Sequence, residues 1–124
     1  MKYYITKHCK DRYLQRVLNG NNVNENLLFS ILDDLKFGKL ITSEISNKYP
    51  RFVLYLKENY GADRGYNFIQ KDNTIFVLCK RKGTESLYDV VTCYIESGVF
   101  ESFNSTVLTD REIYNRLALT KYKK

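Results

Sequence analysis

Apolar positions recur at helical spacing through the first half of this chain and crowd into consecutive β-prone runs in the second. From Thr6 to Leu18, Cys9, Tyr13, Leu14, Val17 and Leu18 share one arc of a helix, and Thr6 stands at its N-cap. The breaker cluster Asn19-Gly20-Asn21-Asn22 should stop it. A second helix is expected from Asn22 or Asn24 to about Lys36, on Leu27, Leu28, Ile31, Leu32 and Leu35, with Gly38 as its C-cap. Lys2 to Ile5 reads as an extended lead-in.

Lys39 to Lys48 has two readings: a short strand at Leu40-Ile41-Thr42, or an irregular connection. Pro50 suits the first turn of a third helix over Arg51–Tyr60 stopped at Gly61, although the β-branched and aromatic residues there leave a strand open. From Gly65 the period changes. Tyr66–Gln70, the turn Lys71-Asp72-Asn73, Thr74–Lys80, a basic loop to Ser86, and Leu87–Ile95 read as strands joined by short turns. On the last of these, alternation puts Tyr88, Val90, Thr92 and Tyr94 on one face and Val91, Cys93 and Ile95 on the other. After Glu96-Ser97-Gly98, Val99–Phe103 adds a further edge strand. The capping box Thr109-Asp110-Arg111-Glu112 starts a helix that Ile113, Tyr114, Leu117 and Leu119 can dock, ahead of the charged tail Lys121–Lys124. The expected architecture is α+β in a single domain spanning 1–124. N-terminal helices pack on an antiparallel β-meander, with a short C-terminal helix, and the first helix lies across the sheet.

A length of 124 residues and 44% hydrophobic content suit one globular core. The net charge of +6 attracts polyanions, nucleic acid first and an anionic membrane surface second. Eleven tyrosines and seven phenylalanines either stack on unpaired bases or fill the core. Cys9, Cys79 and Cys93 are widely spaced and odd in number, which points to reduced, buried thiols in a cytoplasmic protein and away from a disulfide scaffold. With one histidine and no Cys-x-x-Cys pair, no metal or other cofactor is expected. No apolar run reaches membrane-spanning length, and no signal-like stretch opens the chain.

His8, the one histidine, is followed by Arg12 and Arg16, so at about 100° per residue the three fall on one helical stripe. A titratable imidazole beside two permanent cations can bind a phosphate and move a proton. The bland alternative is a solvated helix face. Lys80, Arg81 and Lys82 either track a nucleic-acid backbone or form a solubilising hairpin. Thr92 and Tyr94 are hydrogen-bonding candidates if their face meets the ridge, and half-buried strand residues if it does not.

A helix opening Thr6-Lys7-His8-Cys9-Lys10-Asp11-Arg12 and continuing to Arg16, with Val90-Val91-Thr92-Cys93-Tyr94 at a strand end, resembles a known superfamily. It is that of the small ribonucleases containing barnase, the EndoU nucleases, the colicin tRNases and the RelE-type mRNA interferases. The likeness is nearest to phage mRNA endoribonucleases. The resemblance implies metal-independent RNA cleavage, with 2′-OH attack on the adjacent phosphorus leaving a 2′,3′-cyclic phosphate. It assigns His8 as general acid or base and Arg12 and Arg16 to the phosphate. Tyr94 joins them as a catalytic candidate, and Lys7, Lys80, Arg81, Lys82 and Thr92 as nucleic-acid-binding ones. The implied partners are single-stranded RNA and an inhibitor protein, in a bacterial cytoplasm for a phage or toxin protein. This chain departs from members that use a Glu–His pair or two histidines, and only Glu44, Glu58 or Glu85 is offered as a second group. The rival reading is a non-catalytic basic phage protein that binds and inhibits a host protein or nucleic acid.

Overall fold

β4 (Thr74–Lys80) sets the architecture, because its six residues from Thr74 to Cys79 are all buried. A strand this apolar needs cover on both faces. The computed structural model, which describes residues 2–18, 27–62, 64–81, 83 and 86–95, supplies it with helices above and below one sheet. The fold is α+β. Its described elements are β1 (Lys2–Ile5), α1 (Lys7–Arg16), α2 (Leu27–Phe37), β2 (Lys39–Leu40), α3 (Thr42–Lys48), α4 (Pro50–Tyr60), β3 (Tyr66–Lys71), β4 and β5 (Leu87–Ile95).

The strand order is β1-β5-β4-β3-β2. β2 through β5 are antiparallel neighbours, and for β3, β4 and β5 this is the expected meander. The lead-in Lys2–Ile5 is instead an edge strand parallel to β5, with Lys2 opposite Leu87 and Ile5 opposite Val90, so the sheet is mixed. A four-residue parallel strand leaves no local mark, since its partner lies over eighty residues away.

On one face, Ile5, Cys9, Tyr13, Ile31 and Leu35 pack on Ile69, Phe76, Leu78, Val90 and Cys93, which seats α1 and α2. On the other, Ile41, Ile45, Phe52 and Leu56 from α3 and α4 cover Phe68, Ile75, Val77 and Val91. Fully buried side chains such as Phe52, Phe68 and Phe76 each contribute about 2–3 kcal/mol of hydrophobic stabilisation.

Thr6 caps α1 as expected, its hydroxyl accepting from the Cys9 N–H at 3.1 Å. The same hydroxyl donates to the Val90 carbonyl at 2.9 Å, so one side chain starts the helix and pins it to β5. Pro50 opens α4, and Gly61, at φ 124°, ends it. Lys39–Lys48 fits neither alternative in full: a two-residue strand at Lys39–Leu40 is followed by the helix α3, which neither reading of the segment expects. Gly38 follows α2 but is not left-handed; a Cβ there would run into the Ile69 side chain, so close approach to β3 demands the glycine.

β5 carries a bulge. Val77 pairs with Thr92 and Leu78 with Val90, which leaves Val91 extra. The expected alternation therefore breaks at Val91. Tyr88, Val90 and Cys93 face α1 and α2, whereas Val91 and Tyr94 face α3 and α4. The start of the second helix at Asn22 or Asn24, Lys82, Glu85, the strand Val99–Phe103 and the C-terminal helix all lie outside the described residues.

Candidate functional site

β1 ends at the level of Val90, so among the described residues no strand pairs with β5 beyond it on that side. α1 runs along this flank, held by the Thr6 bonds and by Cys9 and Tyr13 in the core. Its polar stripe faces away from that core. His8, one residue past the start of α1, is exposed, and Arg12 and Arg16 are partly exposed.

Arg16 reaches the strand itself. Its Nη1 donates to the Cys93 carbonyl at 2.7 Å, and its guanidinium carbon lies 4.9 Å from the centre of the Tyr94 ring. A carbonyl dipole and an aromatic face orient the cation without neutralising it. Arg12 donates to Gln15 at 2.8 Å. Among the described residues, neither guanidinium takes part in an ion pair. Lys7 is paired with Asp11 at 3.2 Å on the exposed neighbouring face.

Tyr94 is half-buried, and its ring edge meets Phe52 with centroids 5.5 Å apart. Burial, with Tyr55 and Tyr60 nearby, pushes its phenol up to about 12 against the pull of Arg16. Tyr60, at the end of α4, is raised by burial and by Tyr55 and lowered by Arg12 and Arg16. The guanidiniums of α1 and the phenols of α4 and β5 thus share one electrostatic neighbourhood around the open flank. Sequence reasoning missed Tyr60, because only the packing of α4 beneath β5 brings that helix end to the arginines. Behind the site, the buried Cys9 and Cys93 thiols are hydrogen-bonded to each other. The bond from Cys9, with Arg16 and Arg12 assisting, lowers Cys93; the same bond and burial raise Cys9.

The other expected site residues fall elsewhere. Thr92 is 1% exposed and pairs with Val77 inside the sheet, so it presents nothing to a ligand at the surface. Lys80 pairs with Tyr88, whereas Tyr94 pairs with Ile75. Six residues of strand separate the two levels, about 20 Å. Arg81 sits at the far end and is committed to Asp89 through Nε at 3.1 Å and Nη2 at 2.6 Å. Arg64 holds the other Asp89 oxygen at 2.7 Å and also donates to the Lys80 carbonyl at 3.1 Å. Arg81 further lies 4.9 Å over the Tyr4 ring. The predicted basic loop therefore does not join the His8 stripe at the Tyr94 end, and its described arginine is neutralised. Glu44 and Glu58 ride on α3 and α4, across the sheet from α1.

Beyond Arg16, an open cleft of about 480 Å³ lies between the end of α1, Asp34 of α2 and the β3–β4 turn at Asp72 and Asn73. Asp34 is fixed there by the Tyr13 hydroxyl at 2.7 Å, and Lys71 pairs with Asp72 at 2.9 Å. Among the described residues, no three His, Cys, Asp or Glu side chains converge, and no helix is long and apolar enough to cross a membrane. Neither a protein-family model nor a curated protein nor a solved structure matches this chain.

Proposed function

We propose that the protein is a metal-independent endoribonuclease whose site is the α1 stripe beside the open half of β5. One observation carries this reading: His8 is exposed on the same ridge as Arg12 and Arg16, and among the described residues neither guanidinium is spent on a carboxylate. An RNA phosphodiester then meets two permanent cations and a side chain type that exchanges protons near neutral pH.

In the reaction, a base removes the proton from the ribose 2′-OH and the oxygen attacks phosphorus. The bond to the 5′-oxygen breaks, and an acid protonates the leaving oxygen. The products are a 2′,3′-cyclic phosphate and a free 5′-OH. His8 gives or takes one of these protons. Arg12 and Arg16 offset the negative charge that grows on the phosphorane oxygens. The Tyr94 phenol, held at about 12, keeps its proton at neutral pH and acts as a hydrogen-bond donor.

The test is digestion of a mixed-sequence RNA in EDTA by wild type, His8→Ala and Arg12→Ala. Wild type leaves cyclic-phosphate ends, and His8→Ala is slower by about a hundredfold or more. Equal cleavage by wild type and His8→Ala rejects the reading. RNA binding that survives His8→Ala, fails in Arg12→Ala and never breaks the RNA replaces it with the non-catalytic binder.

A further inference from the structure

α2 is apolar on two sides. With about 100° between successive residues, Leu27, Ile31 and Leu35 form one face, Phe29 lies opposite it, and Leu28, Leu32 and Phe37 flank it. The first face packs into the core. The second is in solvent: Phe29 is 69% exposed, Phe37 64%, Leu28 46% and Leu32 37%. Leu40 of β2, at 53%, continues the patch, because Gly38 lets the end of α2 close directly onto β3. Among the described residues, no layer covers this second apolar face.

We infer that this outer face of α2 pairs with the same face of a second copy of the chain. The charge on the face selects that occupant. Its midline carries one acid and one base, Asp33 and Lys36, both exposed. In an antiparallel pairing about a two-fold axis at the level between Asp34 and Leu35, Lys36 of one copy lies against Asp33 of the other, and Leu32 against Phe37. The patch thereby satisfies its own charges. RNA gains little there, since the acid cancels the base. The inference is independent of the RNA reading.

Sedimentation equilibrium of the full chain over a wide concentration range tests it. The expected mass rises to that of a dimer, and the dimer persists at about 0.5 M salt, where assemblies bridged by nucleic acid dissolve. Phe29→Asp, at a solvent-facing position, weakens association by about a hundredfold or more with an unchanged circular dichroism spectrum. Asp33→Lys and Lys36→Asp are each monomeric, and mixing the two restores a dimer. A wild type that remains at monomer mass, a dimer indifferent to Phe29→Asp, or a mixture that stays monomeric overturns the proposal.

Discussion

The two ends of β5 gather arginines in opposite ways. At the Leu87 end, Arg64 and Arg81 share the two oxygens of one carboxylate, Asp89, and their charge is used to hold β3, β4 and β5 together. At the Ile95 end, Arg16 meets a carbonyl and an aromatic face and, among the described residues, no carboxylate. The same residue type is architecture at one end and a ligand candidate at the other. What separates them is a partly buried acid, which sequence position alone does not reveal.

The largest expected effect comes from removing that acid. Asp89→Ala leaves Arg64 and Arg81 without their shared partner, and the Asp89 side chain is only 16% exposed. Urea denaturation should show a loss of about 3 kcal/mol, while RNA affinity per folded molecule does not fall, since the change removes an acid and uncovers two guanidiniums. Loss of RNA binding without loss of stability would reverse the roles of the two ends.

Next is the pH response of the other end. The Tyr94 phenol is raised above its ordinary value, so the fold disfavours its ionised form. Its contribution to stability is complete below pH 10 and is lost as pH climbs from 10 toward 12. Tyr94→Phe should remove about 2 kcal/mol of that alkaline loss, read from chemical denaturation at each pH.

A smaller effect sharpens the contrast. Arg16→Ala should weaken RNA binding and flatten the logarithmic salt slope by about 1, whereas Arg81→Ala should leave the slope unchanged. Equal slopes in both variants would erase the distinction. The smallest concerns the helix that carries the site: Thr6→Ala, losing the cap and the Val90 bond, should cost about 1 kcal/mol in thermal or urea unfolding.

What the chain discloses in advance follows the range of the interactions. α1 with its Thr6 cap, α4 with Pro50 and Gly61, and the buried run of β4 are written in neighbouring residues, and all were readable. The parallel strand β1, the bulge at Val91 and the Gly38 contact with Ile69 depend on residues far apart in the chain, and no local pattern marks them. The bulge mattered most for the site, since it turns Tyr94 toward α4 and Tyr60. The His8, Arg12 and Arg16 stripe needed only helical periodicity. The fate of Arg81 needed a carboxylate eight residues away, on a different strand.

Because His8 is the one histidine in the chain, its imidazole gives an unambiguous proton resonance. Titration with an RNA oligonucleotide whose 2′-hydroxyls are replaced by hydrogen, so that it binds without being cut, asks directly whether a phosphodiester lodges on the α1 ridge. A saturable shift of that resonance is expected, and it disappears in Arg12→Ala and Arg16→Ala. An oligonucleotide that binds while the His8 signal stays still would contradict it.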